Sequence, residues 1–257
     1  MADLVAWLTP ALPLKSVLFL VFCAALAGLA RGFAGFGAAL IFMPLASTVV
    51  PPQLAAPVLL GIDILGATGL IPRAWCQSDK HSVALMLGGA LLGVPLGVYA
   101  LIKGDPLMVR WAIVGFVFVT LPLLISGWRM RAAPTVAATL GVGVVSGFLG
   151  GMTQTSGPPV IAYWLGQNVP PALQRASMFA YFGLGSFITA SFYFLGGLVT
   201  LTVIQLSILL APAYGLSVMA GQRMFGLASE TTFRNVCYVL IALVGLFSMP
   251  LLDGIIR

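Results

Sequence analysis

Apolar residues run along this chain in blocks about as long as a membrane is thick, with polar residues confined to short gaps. Runs at about 53–72, 82–102 and 107–127, and again near 171–195, 199–220 and 232–252, each hold the roughly 20 residues an α-helix needs to cross ~30 Å of hydrocarbon. Two regions are too long. Residues 14–49 and 134–168 are apolar over 36 and 35 residues, and as single helices rising ~1.5 Å per residue they would exceed ~50 Å. Both carry helix-breaking sequence near the middle. The first has Gly32-Phe33-Ala34-Gly35-Phe36-Gly37, the second Gly150-Gly151-Met152-Thr153-Gln154-Thr155-Ser156-Gly157-Pro158-Pro159. The pattern predicts an all-α polytopic membrane protein in one of two arrangements. Each long region is a kinked crossing, giving eight full spans, or folds back as a re-entrant hairpin of short helices, giving about ten membrane segments.

Charge separates the two. Flanking Lys and Arg collect on the cytoplasmic side. Eight spans put Lys15, Arg73, Lys80, Arg129, Arg131 and Arg257 on one side against Lys103, Arg110, Arg175, Arg223 and Arg234, six to five. Hairpins put Arg73, Lys80, Arg129, Arg131, Arg175, Arg223 and Arg234 against Lys15, Lys103, Arg110 and Arg257, seven to four. The second count favours hairpins, with both termini outside and loops 73–81, 127–133 and 221–231 cytoplasmic.

Composition agrees with a lipid environment. Mean hydropathy is +1.10 and only 7 % of residues are charged, whereas soluble domains are about a quarter charged. The net charge of +6 is spread singly over the ends of apolar runs, which excludes a nucleic-acid-binding face. Cys23, Cys76 and Cys237 lack metal-ligand spacing, so they read as small hydrophobes and no metal or other cofactor is expected. His81 is expected in a solvated loop. Trp7, Trp75, Trp111, Trp128 and Trp164 fall mostly near segment ends, as an interfacial belt would. Gly89, Gly93 and Gly97 share one helix face and predict close helix packing.

The chain also repeats. Val50-Pro51-Pro52-Gln53-Leu54 returns 119 positions later as Val169-Pro170-Pro171-Ala172-Leu173, and Gly28, Gly32 and Gly66 return as Gly147, Gly151 and Gly185. Farther on, Gly97 and Arg110 match Gly221 and Arg234 at an offset of 124. Residues 1–128 and 129–257 are therefore read as two repeats within one integral membrane domain. With hairpins each repeat has an odd number of segments, so the halves are inverted, an arrangement typical of transporters with a site at the midplane.

The breaks are the candidate site. Backbone that leaves the helix at membrane depth persists only when buried in protein or lining a polar cavity. Half-helices restarting after a break point free N–H groups and partial positive charge into that cavity, which suits an anion. Gly32, Gly35, Gly37, Gly150, Gly151 and Gly157 allow unusual dihedrals and close approach of backbone to a solute, and Phe36 contributes an apolar wall. Pro158 fits the first turn of the restarting helix. Thr153, Gln154, Thr155 and Ser156 add donors, or alternatively cap helices and bond to neighbours. Arg31 and Asp63 lie well within membrane runs, where ionisable groups are functional candidates by default. Arg31 would supply charge to an anion and Asp63 would carry a coupling proton or cation, or the two form a structural pair.

These motifs resemble the sulfite exporter TauE/SafE (TSUP) family over nearly the whole length. The resemblance rests on Gly28-Leu29-Ala30-Arg31-Gly32-Phe33-Ala34-Gly35-Phe36-Gly37 followed by Pro44, and on Gly147-Phe148-Leu149-Gly150-Gly151 followed by Gly157-Pro158-Pro159-Val160. Gly221-Gln222-Arg223 and Phe233-Arg234 look like its closing segment. It implies a multi-pass carrier in the plasma membrane, for bacteria the inner membrane, moving sulfite, thiosulfate or organosulfonates. The residues alone reach only as far as a small anion. Phe33 and Phe36 interrupt what is usually a denser glycine run, pointing to a bulkier or more organic anion. The competing readings are a permease for a non-sulfur solute such as a carboxylate, and a non-transporting scaffold subunit. An enzyme is not expected, since no Gly-x-Ser-x-Gly, His-Glu-x-x-His or phosphate-binding loop is present. Lipid and a small anionic solute are the expected partners, and a homo-oligomer is compatible with the chain.

Overall fold

The computed structural model describes residues 12–34, 37–67, 71–127, 130, 135–224 and 230–252. These residues form eleven α-helices and a closing 3-10 turn, Pro250–Leu252. The helices are α1 (Leu14–Ala34), α2 (Ala38–Ala46), α3 (Pro52–Ala67), α4 (Ile71–Gln77), α5 (Lys80–Lys103), α6 (Pro106–Ser126), α7 (Val136–Thr153), α8 (Gly157–Gly166), α9 (Pro171–Leu195), α10 (Leu201–Met224) and α11 (Glu230–Phe247). Six of them, α1, α5, α6, α7, α9 and α10, contain stretches long and apolar enough to cross a membrane. Their outer faces carry Leu92, Tyr99, Phe194 and Leu195 well exposed, as a lipid solvent requires.

Local chemistry sets the ends of the helices. Asp79 accepts from the N–H groups of His81 and Ser82 at the start of α5, and Asp105 does the same for Leu107 and Met108 at the start of α6. These carboxylates satisfy amides that the first turn leaves open. His81 consequently lies in the first turn of α5, exposed, and not in a loop. The expected run 53–72 divides into α3 and α4, with residues 68–70 outside the described set.

Two compact units emerge, and neither coincides with a half of the sequence. One holds residues 1–62, 104–122 and 198–257; the other holds 63–103 and 123–197. In the first, α1 packs on α10. A Cβ on Gly28 would sit 2.6 Å from the Tyr214 carbonyl, and one on Gly32 2.1 Å from that of Val218. In the second, α5 packs on α7 through glycines on both helices. Gly89, Gly93 and Gly97 press on the carbonyls of Leu140, Val144 and Phe148, while Gly143, Gly147 and Gly151 press on Met86, Ala90 and Val94. Contacts advance together along each pair, so the paired helices run parallel. The two seams also correspond residue for residue. Gly28 at Tyr214 matches Gly147 at Ala90, and Gly32 at Val218 matches Gly151 at Val94, under the same offsets of 119 and 124 found in the sequence.

The second unit shows how its long apolar region is folded. Along α9, Ser177 accepts from the N–H of Asp79, and Gly196 lies against Val98 and Ile102. Tyr181 meets Ser146 of α7, and Tyr193 meets Gly151. Helix α9 therefore runs parallel to both α5 and α7. Between two parallel neighbours the chain must return to its starting side, and α8 makes that return. Near its end, the Ala162 carbonyl accepts from the N–H of Met130 at 2.9 Å, although Met130 precedes α7. The short helix α8 thus folds back along the long helix α7.

Candidate functional site

Each short helix that follows a break is hydrophobic all round and correspondingly buried. In α2 these residues are Ala38, Leu40 to Pro44 and Ala46; in α8 they are Pro158 and Val160 to Trp164. Trp164 is among the most deeply buried side chains, edge-on to Tyr163, so it does not belong to an interfacial belt. Neither helix has a side-chain cap at its N-terminus.

The breaks are narrower than the glycines imply. Helix α1 continues through Gly32 to Ala34, and α7 through Gly150 and Gly151 to Thr153. Gly32 and Gly151 serve close packing, which needs a missing side chain and not an unusual dihedral. Gly157, Pro158 and Pro159 already form the first turn of α8, where proline's fixed φ is helical. Only Gln154, Thr155 and Ser156 are non-helical in the second break. In the first, Gly37 is left-handed at φ 92° and caps α2, and a Cβ there would meet nothing within 4 Å. Gly35 and Phe36 lie outside the described residues, as do Trp7, Trp128, Arg129, Arg131 and Arg257.

Gln154 ends α7 in a left-handed conformation, φ 60°, a position usually taken by glycine. Its N–H reaches the Gly150 carbonyl at 3.1 Å, and that of Thr155 reaches Leu149 at 3.4 Å. Its carboxamide donates to the Tyr193 hydroxyl at 3.1 Å, which itself donates to the Gly151 carbonyl at 2.9 Å. Thr153 donates to the Leu149 carbonyl at 3.0 Å and shares a further bond with Thr155. The proton in that shared bond must be Thr155's, so both hydroxyl protons are spent internally. Pro158 and Pro159 have no N–H. The Gln154 carboxamide, the half-buried Ser156 hydroxyl and the Ser156 and Gly157 amides remain as donors at this break. At the first break, Ala38 and Ala39 open α2, and their amides have no intrahelical acceptor.

Spacing along α7 carries a second pattern that the sequence reading did not single out. Thr139, Ser146 and Thr153 fall seven residues apart, each buried and each bonded to a carbonyl of its own helix. Each also meets a second hydroxyl: Tyr163 at 2.7 Å, Tyr181, and Thr155. This seam fastens α8 and α9 to one face of α7, while the glycines hold α5 elsewhere on it. The corresponding positions of α1 are Leu20, Ala27 and Ala34, so the seam belongs to the second unit alone. Three hydroxyls at heptad spacing in an apolar run were its available signal.

Arg31 is half-buried in the last turn of α1, and Asp63 is half-buried within α3. Neither is without a partner. Arg175 is exposed in the first turn of α9, Cys23 and Cys237 are buried, and Cys76 is exposed. Among the described residues no cluster of His, Cys, Asp or Glu could hold a metal ion.

Residues 20–248 match the family model described as sulfite exporter TauE/SafE, a stretch that includes both breaks and both glycine seams. The chain belongs to the sulfite exporter TauE/SafE family. TauE/SafE is a transporter family, so this is a multi-pass membrane transporter and not an enzyme. No curated protein and no solved structure matches the chain.

Proposed function

We propose that this TauE/SafE chain is a secondary transporter of a small sulfur-containing anion: sulfite, thiosulfate or an organosulfonate. The observation that carries this reading is the pair of buried half-helices, α2 and α8, whose N-termini no side chain caps. Uncapped amides at depth are costly unless a ligand or water meets them, and their partial positive charge selects an anion. Arg31, Gly32, Gly35, Phe36 and Gly37 would serve anion binding at the first break, and Gly151, Thr153, Gln154, Thr155, Ser156, Gly157 and Pro158 at the second. Asp63 would carry the coupling proton or cation. Phe33 and Phe36 favour the larger members of the class.

The corresponding glycine seams support residues 1–128 and 129–257 as two copies of one unit. Each copy lends its first helix to a seam with a helix of the other. The fold-back of α8 on α7 supports about ten membrane segments and inverted repeats; the seven-to-four count of basic residues supports termini outside, and the family resemblance supports a bacterial inner membrane. Purified protein in liposomes decides the function. Uptake of sulfite, thiosulfate or a sulfonate that carboxylates of similar size do not suppress would support it. Preferential uptake of carboxylates would replace it with an organic-acid permease, and no transport at all with a scaffold role.

A further inference from the structure

Tyr193 sits on α9, fully buried and 39 residues beyond the glutamine it touches. Gln154 is the one non-glycine residue with positive φ among the described residues, so something other than intrinsic preference keeps it left-handed. We propose that Tyr193 is the positioning residue of the second break: it holds Gln154 in that conformation and aims its carboxamide at the bound anion. The proposal rests on the transport reading above.

A phenol has one proton. Tyr193 donates it to the Gly151 carbonyl at 2.9 Å, so from Gln154 it can only accept, at 3.1 Å. That settles the amide's orientation, with nitrogen towards Tyr193. One N–H of that nitrogen is engaged, and the other remains for a ligand. The surroundings make this donor count. Thr153 and Thr155 have spent their protons, and the two prolines supply none. An oxyanion at this break therefore draws on Gln154, Ser156 and Gly157, of which only Gln154 is steered by a buried neighbour. Tyr193 touches no solute itself and acts through the glutamine. A role limited to fastening α9 to α7 would leave solute affinity untouched, because the Ser146–Tyr181 bond also holds α9 to α7.

The test uses the full-length protein in detergent and in liposomes, with thiosulfate and sulfite as probes. Tyr193→Phe keeps the ring and removes the hydroxyl. Backbone hydrogen exchange across residues 154–157, measured without solute, should quicken. The KM for exchange of a transported probe should rise about fivefold to tenfold, the scale of one hydrogen bond, with the maximal rate nearly unchanged. Gln154→Gly, which tolerates the left-handed backbone, should raise KM similarly, and the double variant no further. Unchanged hydrogen exchange, multiplied effects in the double variant, or a lowered maximal rate at constant KM would overturn the proposal. If Tyr193→Phe does not fold, Gln154→Gly decides alone, and an unchanged KM overturns it. If the unmodified protein takes up neither of these probes nor an organosulfonate, the transport reading fails separately. Hydrogen exchange then decides the hold on Gln154, with faster exchange supporting it and unchanged exchange overturning it.

Discussion

A single methyl group on Gly93 tests the packing of the second unit most directly. The Cβ of an alanine there would lie 2.0 Å from the Val144 carbonyl oxygen and 2.8 Å from the Phe148 nitrogen. Real Cβ atoms rarely come within about 3.4 Å of such neighbours, so α5 and α7 must part by more than 1 Å. Both obstacles are backbone atoms in the middle of helices, and no rotamer change can relieve them. Separation also loosens the contacts of Gly89 and Gly97 on the same face. Overpacking of this kind costs roughly 1–3 kcal/mol, offset by at most ~1 kcal/mol from alanine's better helix propensity. A net loss of about 1–2 kcal/mol corresponds to roughly 2–8 °C in melting temperature for a chain of this size. Gly115 of α6 and Gly141 of α7 are internal controls, since a Cβ on either meets nothing within 4 Å. Thermal unfolding in detergent should therefore rank Gly93→Ala well below the parent, with Gly115→Ala and Gly141→Ala at or above it. Equal melting of Gly93→Ala and the parent, or a Gly115→Ala protein as unstable as Gly93→Ala, would refute the reasoning.

Two further outcomes bear on function and topology. Arg31→Gln is expected to weaken anion binding about tenfold or more, the scale of a charge-assisted hydrogen bond, without lowering the melting temperature. Asp63→Asn should spare exchange and abolish pH-driven accumulation. Instability in both single variants, recovered in the double, would instead assign the two residues a purely structural pairing. Cys76 is the only exposed cysteine among the described residues, which makes the unaltered protein its own topology probe. A membrane-impermeant maleimide should label it in inside-out vesicles and spare it in intact cells; labelling from outside would reverse the orientation.

Elements governed by short-range chemistry were legible in the residues themselves. The lengths of the apolar runs reflect the thickness of a bilayer, and the interruptions at Gly37 and at Gln154–Ser156 fall where glycine, proline and short polar side chains weaken a helix. The family, too, could be read from the doubled glycine motifs before any fold was known. What those glycines do was not legible, because glycine serves two ends that look identical in a string of letters. Gly37 supplies a left-handed dihedral, whereas Gly32, Gly150 and Gly151 stay helical, and of these Gly32 and Gly151 let another helix approach to backbone contact. Only the neighbour distinguishes the cases, and the neighbour comes from the other half of the chain. The same holds for the donors of the second break. Side by side in sequence, Thr153 to Ser156 present four polar groups; folded, two hydroxyls satisfy each other and a helix carbonyl, and the third group, the Gln154 carboxamide, answers to Tyr193. In a dry interior a polar group bonds to whatever lies nearest in space, and proximity of that kind is set by how the helices pack.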